Sequence, residues 1–184
     1  MARTETPAAD FGTPAPDFSL KGVDGQMWTL ADCRGPKGTV VMFICNHCPF
    51  VKASIGRIAR DCEALEEHGV KSVAIMPNDV AAYPADSFEN MQAFAREHEL
   101  PFPYLIDETQ EVARAYGAVC TPDFFGYNAD LKLQYRGRLD ASRKQAAPPD
   151  VRRDLFEAMR QVATSGEGPK EQIPSMGCSI KWRD

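Results

Sequence analysis

Hydrophobic positions along the chain switch between two periods, and each switch marks an element. Asp17-Phe-Ser-Leu20 and Met27-Trp-Thr-Leu30 flank Asp24-Gly25, the pattern of a short β-hairpin that turns on Asp-Gly. Thr39 to Ile44 is a continuous apolar, β-branched run, which predicts a strand buried on both faces. From Pro49 to Glu67 the spacing becomes helical. Val51, Ile55, Ile58, Cys62 and Leu65 fall on one stripe, and Gly69 supplies the stop. Val70 to Met76 predicts a second strand, and residues 86–98 a helix with Phe88, Met91 and Phe94 as its apolar side.

The second half repeats the alternation with shorter pieces. Pro103 to Ile106 predicts a strand and Glu108 to Tyr116 a helix ending at Gly117. Thr121-Pro122 opens a strand over Asp123 to Tyr127, and Asn128-Ala-Asp130 turns the chain into Leu131 to Arg136. Residues 150–163 form an amphipathic helix through Val151, Leu155, Phe156, Met159 and Val162. Strands alternating with helices imply an α/β layer fold with an antiparallel hairpin late in the chain. One domain over residues 1–184 is expected, with 1–12 as a loose lead-in and 166–184 as a C-terminal tail containing Cys178 and Trp182.

Composition narrows the function classes. With 43% hydrophobic and 26% charged residues, the chain has the make-up of a soluble globular protein. A net charge of −5, with no basic stripe, argues against a general nucleic-acid binder. The longest apolar run, Val40 to Cys45, is too short to cross a bilayer. The N-terminus has no hydrophobic segment of the secretory type, so a cytoplasmic location is expected. Six cysteines in 184 residues are too sparse for a disulfide scaffold, which leaves burial, catalysis or metal binding.

Two of those cysteines stand where chemistry is expected. Phe43-Ile-Cys-Asn-His-Cys-Pro-Phe-Val-Lys52 places Cys45 and Cys48 where the buried strand hands over to a helix. Unpaired N–H groups and the positive end of the helix dipole favour thiolate there. This string, the order of elements and the later Thr121-Pro122 together resemble the thioredoxin superfamily. Pro14-Ala-Pro-Asp-Phe-Ser-Leu20 with Asp24-Gly25 and Leu30 is similar to its thiol-specific-antioxidant, or peroxiredoxin, branch. Cys45-Asn-His-Cys-Pro-Phe-Val-Lys, Cys120-Thr-Pro-Asp-Phe-Phe, Tyr135-Arg-Gly-Arg and Gly177-Cys-Ser-Ile-Lys-Trp resemble a peroxiredoxin-like group of that branch. The resemblance implies a thioredoxin-like fold: a central mixed sheet flanked by helices, with a peroxiredoxin-type N-terminal hairpin.

Two registers compete for the nucleophile. In one, Cys45-Asn46-His47-Cys48 is an ordinary redox Cys-x-x-Cys, similar to the Cys-Pro-His-Cys of a disulfide oxidase, with His47 helping to hold Cys45 as thiolate. In the other, thioredoxin-like chains place the nucleophile five residues after the aromatic at the strand end. Counting from Phe43 gives Cys48, with Val51 in the second-cysteine position and Lys52 as the following basic residue. Pro49 at the first helical position also puts Cys48 at the N-cap, so Cys48 is favoured as the more acidic thiol. In this register Val51 and Cys48 stand where peroxiredoxins carry the peroxidatic cysteine and its Thr, so that pattern is absent. Met42 replaces the buried acid of thioredoxin, which directs attention to His47 for proton handling.

Thr121-Pro122 resembles the cis-Pro loop that faces the active cysteine in this fold and can pair with an extended substrate. Cys120 adjoins it, and Cys178 is a candidate resolving thiol if the tail folds back over the site. Cys62 reads as packing on the helical stripe, and Cys33 as incidental burial in a loop. His68 and His98 read as helix-end surface residues, and Arg136 and Arg138 as a solvated strand end. The expected activity is thiol–disulfide oxidoreduction with Cys48 as nucleophile and Cys45 as its resolving partner. The alternatives are a thiol-dependent peroxidase and a copper- or zinc-binding protein using Cys45, His47, Cys48 and Cys120. A lone Cys-x-x-Cys is weak for zinc, and Pro49 stands where haem attachment needs His, so no metal or other cofactor is expected. The implied partners are a thiol reductant and an oxidised protein, small-molecule disulfide or hydroperoxide, with a homodimer as a candidate assembly.

Overall fold

The computed structural model describes residues 2–184. In chain order the strands are β1 (Arg3–Glu5), β2 (Ser19–Gly22), β3 (Met27–Thr29), β4 (Gly38–Phe43), β5 (Val70–Met76), β6 (Tyr104–Ile106), β7 (Cys120–Thr121), β8 (Asp123–Asn128), β9 (Leu133–Tyr135) and β10 (Met176–Ser179). The helices are α1 (Leu30–Cys33), α2 (Pro49–Glu66), α3 (Phe88–Glu97), α4 (Glu111–Tyr116) and α5 (Asp154–Ser165), with a 3₁₀ turn at Pro84–Asp86.

Seven strands form the central sheet in the order β3-β2-β6-β5-β4-β8-β9. It is mixed: β4, β5 and β6 run parallel, and the hairpins β2–β3 and β8–β9 add antiparallel strands on either side. All six residues of β4 are buried, as its unbroken apolar run requires. Their alternation distributes them to two layers. Val40, Met42 and Ile44 pack with the α2 and α5 stripes, whereas Val41 and Phe43 pack with Tyr116, Phe125 and Tyr127 on the opposite face. The α2 stripe of Val51, Ile55, Ile58, Cys62 and Leu65 is buried in the first of these layers. Gly25 takes a left-handed φ of 83° in the β2–β3 turn, which only a residue without a Cβ adopts freely.

Beside this sheet lies a second one of three strands, ordered β1-β10-β7. Neither β1 nor β10 is visible as a hydrophobic pattern, because both are short and held by main-chain pairing. Arg3, Thr4 and Glu5 pair with Cys178, Gly177 and Met176, and Cys178 and Ser179 pair in turn with Thr121 and Cys120. The lead-in and the tail therefore meet each other, and the tail meets the Thr121-Pro122 loop.

Other differences are local. The helix expected from residue 86 begins at Phe88 behind the Ser87 N-cap, which accepts from Asn90 N–H. Residues 150–153 precede α5, which runs from Asp154 to Ser165. Cys33 ends a short helix rather than sitting in a loop; Thr29 and Asp32 form its capping box. Arg136 is not solvated: its guanidinium lies against Phe125 and pairs with the fully buried Asp123 at 3.0 Å.

Candidate active site

Phe43 ends β4, and five residues of loop carry the chain to Pro49 at the start of α2, with Cys48 as the N-cap. A proline at the first helical position lacks the N–H that would go unsatisfied there, so Pro49 fixes where α2 starts and which residue precedes it. Cys48 has extended backbone angles, φ −68° and ψ 125°, and its carbonyl accepts the Lys52 N–H at 2.9 Å. Its sulfur is fully buried, facing the Thr121 carbonyl at 3.2 Å across the cis Thr121-Pro122 bond. Cys45 is 1% exposed, with its sulfur 3.5 Å from Thr121 Oγ1. All six cysteines are free thiols.

The site joins three sulfurs. Cys45 and Cys178 both reach the Thr121 segment that Cys48 faces, the first from the approach loop through its contact with Thr121 Oγ1 and the second from β10 through its pairing with Thr121. Cys120 does not join them: its sulfur turns to the Pro122 carbonyl at 3.6 Å, and burial raises its thiol pKa. Cys62 and Cys33 lie buried elsewhere, and burial pushes both up to about 12.

One thiolate and two thiols result. The neighbouring Cys45 thiol is the largest influence pulling Cys48 down, to about 4; Cys178, the Thr121 side chain and the N-terminal end of α2 at Val51 add to it, and burial opposes. Cys48 in turn raises Cys45; burial and nearby Asp86 raise it further. Cys178 is pushed up to about 12, chiefly by burial and then by Cys48. The Thr121 carbonyl is the one neighbour that favours the Cys48 thiol. The balance of these influences lowers Cys48 and raises Cys45, which makes Cys48 the more acidic thiol of the pair.

An acid that sequence patterning did not single out organises the rest. Asp86, at the end of the 3₁₀ turn, is fully buried. Its Oδ1 accepts the Asn46 N–H at 2.8 Å and its Oδ2 the Asn78 amide at 2.9 Å, while Oδ2 stands 2.6 Å from His47 Nδ1. That approach is off the ring N–H axis, and both His47 nitrogens are buried without an aligned partner. The His47 ring stacks on Tyr83, with 5.8 Å between centroids and 8° between planes. Asn46 is held from its other side by the Tyr104 hydroxyl at 2.8 Å. Met42 stands where thioredoxin-like chains keep a buried acid, and here Asp86 brings a buried carboxylate to the same site from a different element. Its only sequence signal is Tyr83-Pro-Ala-Asp-Ser87, which reads equally as an ordinary helix approach.

The metal donors are also regrouped. Cys45, His47 and Asp86 bring Sγ, Nδ1 and a carboxylate oxygen within 4.8 Å of one another, the one such group among the described residues. Cys48 and Cys120 are not part of it. One cysteine sulfur, one imidazole and one carboxylate are a donor set zinc accepts once the thiol is deprotonated, although Asp86 already has both oxygens engaged.

A strand–helix dithiol facing a cis-proline loop, on a mixed sheet of this order, defines a thioredoxin-fold protein. Residues 11–139 match the AhpC/TSA family, and the chain belongs to that family. The crystal structure of an uncharacterized conserved protein from Geobacillus kaustophilus is 46% identical, with a TM-score of 0.93 over 100% of this chain and 97% of that one. The thiol-disulfide oxidoreductase ResA of Geobacillus thermodenitrificans is 29% identical over 131 residues, 71% of each chain. Peroxiredoxin Q of Sedum lineare is 27% identical over 115 residues, 62% of this chain and 56% of that protein.

Proposed function

We propose that the protein is a thiol–disulfide oxidoreductase in which Cys48 attacks and Cys45 resolves. The observation that carries this is the buried dithiol itself: Cys48 at the N-cap of α2 faces the cis Thr121-Pro122 loop, Cys45 stands against Thr121 beside it, and the setting lowers Cys48 while raising Cys45. Only a thiolate attacks a disulfide at a useful rate. Cys48 displaces one sulfur of the substrate, forming a mixed disulfide and releasing a thiolate that takes a proton from solvent. With the negative charge on Cys48 gone, the main influence raising Cys45 disappears. Cys45 then gives up its proton, attacks Cys48 Sγ and releases the reduced substrate. His47, beside Asp86 and within 4.8 Å of Cys45 Sγ, is positioned to take that proton. An external thiol reductant opens the Cys45–Cys48 disulfide and closes the cycle. A reducing compartment, the cytoplasm, is its proposed place of work, in keeping with a cysteine content too sparse for a disulfide scaffold.

The relatives named as a thiol-disulfide oxidoreductase and as a peroxiredoxin support thiol redox chemistry as the class. The peroxidase reading is weaker because the position corresponding to a peroxidatic cysteine is Val51, a fully buried core residue. The Cys45–His47–Asp86 grouping favours a zinc carrier as a second reading, supported if stoichiometric zinc survives purification and protects Cys45 from alkylation. The deciding experiment is dithiothreitol-dependent disulfide turnover by the Cys48→Ala variant. Turnover is expected to vanish while circular dichroism stays unchanged; undiminished turnover would refute the assignment.

A further inference from the structure

Thioredoxin-fold sites take an extended substrate by adding it as a strand beside the cis-proline loop, with main-chain bonds holding it and one side chain reaching the nucleophile. In this chain that place is filled. β10 pairs antiparallel with β7 through Cys178↔Thr121 and Ser179↔Cys120, and β1 covers its other edge. The fit is close: a methyl group on Gly177 would overlap the Thr121 carbonyl. Ser175 Oγ donates to the Pro122 carbonyl at 2.8 Å. Farther along, the Lys181 N–H donates to Asn78 Oδ1 at 2.9 Å, and the Lys181 carbonyl accepts from Asp79 N–H and Gln110 Nε2, each at 2.9 Å. The residue delivered beside the nucleophile is Cys178, paired with Thr121, whose carbonyl lies 3.2 Å from Cys48 Sγ. No cysteine of the trio is more than 5% exposed.

We propose that β10 is a built-in substrate strand and Cys178 a third redox cysteine, exchanging disulfides with Cys48 inside the fold. The inference rests on Cys48 being the reactive thiol, as proposed above. Once substrate has left a Cys45–Cys48 disulfide, Cys178 loses its proton and attacks Cys48 Sγ. The Cys48–Cys178 bond forms, the Cys45–Cys48 bond breaks, and the departing Cys45 sulfur takes up a proton. One disulfide is exchanged for another, so no oxidant or reductant is consumed in this step. The external thiol reductant then attacks the sulfur of Cys178, the most exposed cysteine of the three, and expels Cys48; a second reductant thiol frees Cys178 as the oxidised reductant leaves. The same strand bars an extended protein disulfide from pairing with β7 until β10 is displaced, and Cys48, fully buried beneath it, meets a substrate disulfide only when the site opens.

The test oxidises the full-length protein with one equivalent of diamide, which takes up two electrons, and maps disulfides by mass spectrometry after acid quenching. Cys45→Ser is expected to form an intramolecular Cys48–Cys178 bond, the wild type both Cys45–Cys48 and Cys48–Cys178, and Cys178→Ser only Cys45–Cys48. If Cys45→Ser gives no Cys48–Cys178 bond while Cys178→Ser still gives Cys45–Cys48, the relay is overturned and the dithiol function stands. If Cys178→Ser fails to form Cys45–Cys48, the dithiol function is what falls. Gly177→Ala keeps every sulfur but lifts β10 from β7. It should lower the Cys48–Cys178 yield and speed iodoacetamide labelling of native Cys48 about tenfold, the result of making local opening cheaper by about 1.4 kcal/mol. Unchanged labelling in a folded Gly177→Ala protein would show that β10 does not close the site.

Discussion

Replacing Cys45 with alanine removes the strongest single influence that keeps Cys48 ionised. A hydrogen bond to a charged group contributes about 1.5–3 kcal/mol. At about 1.4 kcal/mol per pKa unit, its loss should raise Cys48 by about one to two units, from about 4 to about 5–6. Cys45→Ser retains an O–H donor at that position and should shift Cys48 less. Ultraviolet thiolate absorbance of the reduced protein reads this directly, because Cys33, Cys62 and Cys178 are pushed up to about 12 and Cys120 is raised as well. Below neutrality Cys48 is thus the only thiolate in the native state. Stability should follow. The folded pKa of Cys48 lies below its ordinary value of 9.0, so between about 4 and 9 the unfolded chain binds more protons than the native one. The contribution is fully present above the ordinary thiol pKa and is lost as pH falls through about 4 in the wild type. In Cys45→Ala that loss should be complete at a pH about one to two units higher. Denaturant titrations of reduced protein across the acid range would show the displaced midpoint. A Cys48 transition that stays at about 4 in Cys45→Ala, or a wild-type transition near 9, would refute this coupling of the two thiols.

Two other substitutions probe the surroundings of the pair. Asp86→Asn keeps an acceptor for the Asn46 N–H but removes the negative charge that raises Cys45. The resolving step should then extend to lower pH, seen as an acid shift in the pH profile of single-turnover release. A profile that does not move would mean Asp86 serves only to fold the loop. Arg136→Ala leaves the fully buried Asp123 without its partner, and burial already raises Asp123 against that partner's pull. Uncompensated buried charge costs about 3–5 kcal/mol, to be read from chemical denaturation; a loss below about 1 kcal/mol would show that water reaches Asp123.

What was legible in the sequence was what local chemistry decides. β4 shows itself because every residue of it is buried, and α2 because its stripe keeps helical spacing up to a glycine stop. Cys48 could be placed at the N-cap because proline constrains the residue before it as well as itself. The illegible parts depend on partners far away in the chain. Arg3–Glu5 has no apolar face to betray a strand; it is a strand because Met176–Ser179 supplies its main-chain partners. Arg136 reads as a surface residue until the fold buries Asp123 thirteen positions before it.

Asp86 shows why that second class matters for chemistry. Its neighbours in sequence announce only the approach to a helix, yet its oxygens reach Asn46, Asn78 and His47. Asn78 also accepts the Lys181 N–H, which anchors the chain just beyond β10. One hydrogen-bonded path, from Asp86 through Asn78 to Lys181, therefore ties the loop carrying Cys45 to the strand carrying Cys178. Oxidation that relocates Cys178 must strain the Asn78–Lys181 bond, and a shift of Asn78 reaches the carboxylate beside Cys45. The two thiols that compete for Cys48 are thus coupled through a polar network as well as through the sulfur they share. An energetic coupling between Asn78→Ala and Cys178→Ser is expected in a double-mutant cycle read on the rate of Cys45–Cys48 disulfide reduction. Strict additivity of the two would mean that the strand and the loop act independently.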